Sequence, residues 1–277
     1  MLHFYDKTRS VSLLAFAAAS GLALSGTANA EMKCADIATG TPGLVGYVSA
    51  ASSCVEDSDV LADGTEAALA SHINQVRYDL ELPALERRAG LDMAAQAHAL
   101  DMVERDYVAH TDPEGRDHLY RVRAFERTGL IGNFGAVVMA ASADRSAVQL
   151  AADMSQDPQN ASNLIDDSFT DFGIGVAVHE GRQLVVLVFA DIEGDLQVSL
   201  PVAPSTGHSL AANFDEVELR PVTWRLVEAD TGASIRRSFI AELDPLRLPA
   251  QTETALIIEA KAGASEVSLK GPLVTRD

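Results

Sequence analysis

The sequence predicts an α+β protein, and three observations carry that prediction. Amphipathic helical periods occupy residues 65–154. Two continuously apolar runs follow, residues 173–178 and 183–190, of the kind that is covered on both faces of a sheet. Beyond residue 200 the helical period is gone, and short alternating runs interrupted by Pro201, Pro204 and Pro221 replace it. At roughly 100–200 residues per domain, a chain of 277 residues makes one large domain or two small ones.

The first thirty residues read as an address. Lys7 and Arg9 precede an apolar run over residues 11–24, and Ala28, Asn29 and Ala30 supply a small-x-small cleavage pattern. The run is shorter than the about 20 residues a spanning helix needs, so it reads as a secretory signal peptide cleaved after Ala30. No later stretch is long and apolar enough to span a membrane, and no lipid-anchor pattern precedes Cys34. The mature chain is therefore expected in the periplasm or secreted. Cys34 and Cys54 both lie in the exported part, within a small, polar N-terminal loop over residues 31–63. In an oxidising compartment they are expected to form one disulfide.

Thr65 is a good N-cap with Glu66 in the first turn, and Leu69, Ile73, Val76 and Leu80 then mark one helical face ending near Pro83. A second helix runs from Leu91 to about Tyr107, with His98 inside its apolar stripe as a satisfied core histidine. Further helices are expected over residues 120–127 and 146–154, the latter stopped by Asp157 before Pro158. The two apolar strands join through a hairpin at residues 179–182. Residues 222–229, 234–243, 254–260 and 266–274 read as strands, enough for a small all-β, sandwich-like domain over residues 200–277.

Forty acids against 21 bases give a net charge of −19. Loss of Lys7, Arg9 and Asp6 with the signal peptide makes it −20. That balance excludes nucleic acid as a partner and argues against an anionic membrane surface. The pair Arg236 and Arg237 is too short to count as a basic patch. Two cysteines exclude a disulfide-dense scaffold and a four-cysteine zinc site.

Three stretches, in order, resemble the CAP superfamily of cysteine-rich secretory, antigen 5 and pathogenesis-related proteins. Ile73, Asn74 and Arg77 with Leu82 and Leu85 match the family's N-x-x-R and L-x-x-L helix and turn. Leu91, Ala94, Ala97, Met102, Tyr107 and His110 follow its second helix, and Phe172 to Ala177 looks like its G-I-G strand. The resemblance implies a CAP-like α/β/α sandwich over residues 64–195, ahead of the β-domain. In that family two histidines and two acids line a cleft, and in some members they bind a divalent metal. Such a set can coordinate zinc or move protons.

Carried over position by position, the set is eroded. His110 stands where the first histidine would be. The first acid falls on Tyr120, directly before Arg121. The segment of the second acid corresponds to residues 135–140, which contain none. The second histidine falls on Asn160, while Asn163, Leu164 and Ile165 keep their pattern. One imidazole, a phenol and an amide lack the ligands that zinc needs, so no metal and no cofactor are expected. The expected function is an exported, non-catalytic CAP-like binding or scaffold protein. Its cleft at His110, Tyr120, Asn160 and Asn163 would engage an envelope component, a protein or a small apolar ligand. The alternative is a hydrolase with a rearranged site around His110, drawing on Asn160, Tyr120 or His118. A third role is strand addition to a partner by the C-terminal β-domain. Asp112, Asp117 and His118 read as a solvated turn, Asp166, Asp167 and Asp171 as surface carboxylates, and Trp224 as core.

Overall fold

The computed structural model describes Cys34, residues 43–214 and residues 219–276; the expected signal peptide and its expected cleavage after Ala30 lie outside the described residues. Helix α1 (Gly43–Asp57) occupies a stretch expected to be loop. Its buried face is Leu44, Tyr47, Ala51 and Cys54, and the small residues between them hide the period. Cys54 is bonded to Cys34, so the expected disulfide ties this helix to the chain before it.

Helix α2 (Asp63–Asp79) buries Leu69, Ala70 and Ile73 and is followed by the short strand β1 (Glu86–Arg87). Helix α3 (Ala89–Glu104) is buried along most of its length, and α4 (His118–Phe125) starts where the side chain of Asp117 accepts from Tyr120 N. Strand β2 (Gly129–Ser142) had no clean alternation to announce it, because Gly129, Gly132 and Gly135 interrupt its apolar residues. Helix α5 (Ala147–Gln156) opens on a capping box of Ser146 and Gln149. Pro158 begins another helix, α6 (Pro158–Ile165), which Asp157 caps through the amides of Gln159 and Asn160. The Asp157–Pro158 step therefore ends one helix and starts the next.

Strands β3 (Asp171–His179) and β4 (Arg182–Leu196) form the expected hairpin. Glu180 and Gly181 both take positive φ, 47° and 76°, as a two-residue hairpin loop of matching twist requires. Along β4, Leu184, Val186, Val188 and Ala190 join α1, α3 and α4 in one apolar cluster. Val185, Leu187 and Phe189 join α2, α5 and α6 in another. Helices thus cover both faces, which explains the uninterrupted apolar strands and makes this part an α/β/α sandwich.

Gly173 and Gly175 set the distance on the α3 face. A Cβ on Gly173 would lie 2.1 Å from the Leu91 carbonyl carbon, and one on Gly175 would lie 2.4 Å from that of Ala95. The backbone of α3 lies directly on β3 at these two points.

The remaining elements are β5 (His208–Ser209), β6 (Ala212–Phe214), β7 (Leu219–Glu228), β8 (Ser234–Ser238), β9 (Glu242–Leu243), β10 (Thr254–Ala262) and β11 (Ser265–Val274). The run predicted over 234–243 is split into β8 and β9, because Ile240 turns its carbonyl to both Trp224 Nε1 and Glu242 N. These strands form a β region around Trp224, Leu226, Leu256, Ile258 and Leu269. It is continuous with the sheet of the sandwich. The strand order is β1-β3-β4-β2-β11-β10-β7-β8, and Lys270 on β11 pairs with Ile131 on β2.

Candidate functional site

The loop between α3 and α4 carries His110. Its turn closes as the sequence implies: Gly115 has φ 90° and its amide reaches Asp112 O at 2.9 Å. The expectation that the charges here are solvated is corrected by the structure. Asp112 is 4% exposed and His118 5%. Asp112 Oδ2 accepts from Arg116 Nε at 2.7 Å and from Arg121 Nη2 at 2.9 Å, while its Oδ1 takes the amides of Glu114 and Arg116. On α3, Asp101 accepts from Arg105 at 2.7 Å and from the Tyr107 hydroxyl at 2.5 Å. Arg105 also donates to Glu114 at 2.7 Å. Buried charges are tolerable when paired and hydrogen-bonded, and these are. The network locks the loop in one shape.

His110 is exposed, and its Nδ1 lies 3.1 Å from His118 Nε2. Behind His118 stands His98, so three imidazoles stack edge to face with centroid spacings of 5.1 and 4.8 Å. Burial, then the nearby Arg121 charge, pushes His118 down to about 3. The same causes hold His98 well below the usual imidazole range. Both rings are neutral at neutral pH, so within the His110–His118 pair one nitrogen donates and the other accepts. His98 is a core residue as expected, but neither ring nitrogen has a hydrogen-bond partner among the described residues.

Tyr120 stands on α4, half-buried, with its ring 5.8 Å from that of Tyr47. Burial, then the charge of Glu253, raises its phenol, whose hydroxyl is hydrogen-bonded to that carboxylate. Glu253 comes from the loop before β10, so a carboxylate reaches the position of the missing acid from the far end of the chain. No local sequence signal marks it. Tyr120 and Glu253 line a cleft of about 760 Å³ together with Glu114, Asp117, Glu228 and Asp230. Arg116 also lines it, with its Nε committed to Asp112.

Asn160 and Asn163 stand on α6. Asn160 gives its amide to the Asp157 cap, and Asn163 Nδ2 donates to Ala136 O on β2 at 3.1 Å. The α6 segment therefore meets the strand segment expected to carry the second acid, but through Asn163, whose position keeps its pattern, and not through Asn160 at the histidine position. Of His110, Tyr120, Asn160 and Asn163, Tyr120 alone lines the acidic cleft. Among the described residues no group of three or more His, Cys, Asp or Glu converges as a metal ion needs. The donors present at the family's four positions do not fit its metal. Asp166 Oδ1 is taken by Ser168, and Asp171 lies between Thr170 and Arg88. Trp224 is buried in the β region, as core.

Residues 70–190 match the profile of CAP, the cysteine-rich secretory protein family. Among solved structures, the chain is similar to an outer surface protein from Borrelia burgdorferi, at 19% identity and a TM-score of 0.39, over 46% of this chain and 91% of that one. It is also similar to an extracellular protein containing an SCP domain from Bacillus anthracis, at 22% identity and a TM-score of 0.38, over 46% of this chain. A cysteine-rich secretory protein from Staphylococcus aureus gives 15% identity and a TM-score of 0.35, over 47% of this chain. The match spans 40% and 39% of those last two chains. No curated protein matches the sequence.

Proposed function

We propose that this chain is an exported CAP-domain protein that binds a positively charged partner at the cleft beside Tyr120 without turning it over. The observation that carries this reading is the fate of the four family positions. Of the four, His110 alone keeps an imidazole, and its ring partner is the buried His118, not a carboxylate. A general base needs a positioned partner and a reacting group within hydrogen-bond reach, and the nearby acids are engaged with arginines. The cleft itself keeps Glu114, Asp117, Glu228, Asp230 and Glu253 around a single guanidinium, which favours a cationic ligand. The Lys7–Ala30 leader supports export, and the Cys34–Cys54 disulfide agrees with an oxidising compartment.

The test uses the mature chain, residues 31–277. A labelled oligolysine peptide should bind at low salt, and Glu228→Gln with Asp230→Asn should weaken it about tenfold. Zinc should give no calorimetric signal, and a chromogenic ester should not turn over. Ester hydrolysis that disappears in His110→Ala and survives in the surface control Val148→Ser overturns the reading in favour of a rearranged hydrolase. Absence of peptide binding overturns it as well.

A further inference from the structure

We infer that the sheet edge at β8 is a membrane-docking surface, where Phe239, Ile240 and Leu246 enter an anionic lipid interface between flanking arginines. The inference rests on residues other than those that line the acidic cleft and is independent of what that cleft binds. Phe239 is 79% exposed, Ile240 70% and Leu246 77%, against 3% for Trp224, whose indole donates to the Ile240 carbonyl.

These side chains are displayed by backbone that is held in place. Trp224 Nε1 donates to Ile240 O, the Glu242 amide reaches the same carbonyl at 2.7 Å, and Ile240 N donates to Ser238 Oγ at 3.1 Å. Leu246 sits on a single 3-10 turn (Pro245–Arg247) capped by Asp244, and its carbonyl accepts from Arg276 Nη1 at 3.0 Å. A buried tryptophan and an arginine thus fix two tips that put large apolar groups into water. Apolar tips held rigidly outward, with cations beside them, suit an interface with an apolar interior and a negative surface.

The charge distribution agrees. Residues 31–218 carry 11 bases and 31 acids, whereas residues 219–277 carry eight of each. The whole-chain excess of acid therefore says nothing about this edge. Here Arg236, Arg237, Arg247 and Arg276 outnumber Glu242 and Asp244, and with Arg247 and Asp244 paired at 3.0 Å three arginines stand against Glu242. Strand β8 is the last of the series and lies five places from β4. At about 4.8 Å per strand that is roughly 24 Å, well beyond a Debye length of about 8 Å at physiological ionic strength. Repulsion between the carboxylates around β4 and an anionic surface is largely screened at that distance, while Glu228 and Asp230 lie nearer, at the opposite end of the β7–β8 hairpin from Phe239. A second copy is a poorer occupant, because antiparallel pairing of two β8 edges would set arginine against arginine.

The test is co-sedimentation of residues 31–277 with vesicles of phosphatidylglycerol and phosphatidylethanolamine, and separately of phosphatidylcholine. The chain should sediment with the anionic vesicles at low salt and release at high salt. Phe239→Ser with Ile240→Ser should reduce that binding at least about tenfold with an unchanged melting temperature, since both side chains are exposed. Arg237→Glu should reduce it about fivefold or more on anionic vesicles. Phe239→Trp adds an indole at the tip, and its fluorescence should be quenched by brominated lipid while that of the buried Trp224 is not. Failure of the wild-type chain to sediment with anionic vesicles, or undiminished binding by the double serine variant, overturns the proposal. A wild-type dimer in sedimentation equilibrium that Phe239→Ser dissolves also overturns it and assigns the surface to a second copy.

Discussion

His118 is 5% exposed beside Arg121, and its ring stays neutral at a pH where an imidazole in water takes a proton. The unfolded chain has that imidazole at its ordinary value near 6.5, and the folded chain has it at about 3. Below 6.5 the unfolded state therefore binds more protons. The stability tied to this ring is complete above pH 6.5 and is lost as pH falls toward 3. At about 1.4 kcal/mol per tenfold, the displacement is worth on the order of 5 kcal/mol across that window. His98 acts in the same direction. The urea midpoint of the mature chain should fall steadily from pH 6.5 to 4, and His118→Asn should flatten part of that slope. A midpoint that does not move would mean that the fold accommodates the protonated ring. The sequence shows His110 and His118 as near neighbours and Asp112 as a turn residue. It does not show that Arg116 and Arg121 close over Asp112, so that Asp112 and His118 are buried while His110 stays exposed.

Helix α3 and strand β3 meet through glycine. A methyl group on Gly175 would come within 2.4 Å of the Ala95 backbone, so the helix must lift to admit it. Backbone cannot swing aside as a side chain does, and overpacking of this kind costs about 3 kcal/mol. Gly175→Ala should lower the melting temperature by roughly 6–12 °C in a protein of this size. Gly64→Ala, with nothing within 4 Å of the added carbon, should leave it unchanged or slightly raised. Equal melting temperatures for the two variants would mean that α3 shifts freely on the sheet. The G-I-G pattern was legible as a family motif, and the close approach explains its chemistry. Helix α1 was not legible, because Leu44, Tyr47, Ala51 and Cys54 make a thin stripe among glycine, alanine and serine. Strand β2 was hidden by its glycines, and its place in the sheet comes from register with β4 along most of its length.

At the scale of the molecule, buried arginines join the sandwich to the β region. Arg123 on α4 donates to Gly271 O at 2.6 Å and Leu256 O at 2.7 Å. Arg127 donates to Leu200 O and Leu273 O, both at 2.8 Å. Burial lowers Arg123 to about 10, still charged at neutral pH, and carbonyl dipoles take the place of water. Arg123→Met should cost about 3 kcal/mol in urea unfolding, since it strands two buried carbonyls. It should also expose residues 219–276 to limited proteolysis before the rest, and simultaneous cleavage throughout would argue against the join. By itself the sequence determined the local features: the helical periods of α2 and α3, the apolar hairpin of β3 and β4, the alternation of the C-terminal strands, and the erosion at Tyr120 and Asn160. These depend on residues a few positions apart, where spacing alone decides which face is apolar. The tertiary structure decided the rest: Glu253 beside Tyr120, Lys270 of β11 opposite Ile131 of β2, and Arg123 under β10 and β11. Those partners are more than a hundred residues apart, and their meeting depends on how whole elements stack, which no local period encodes.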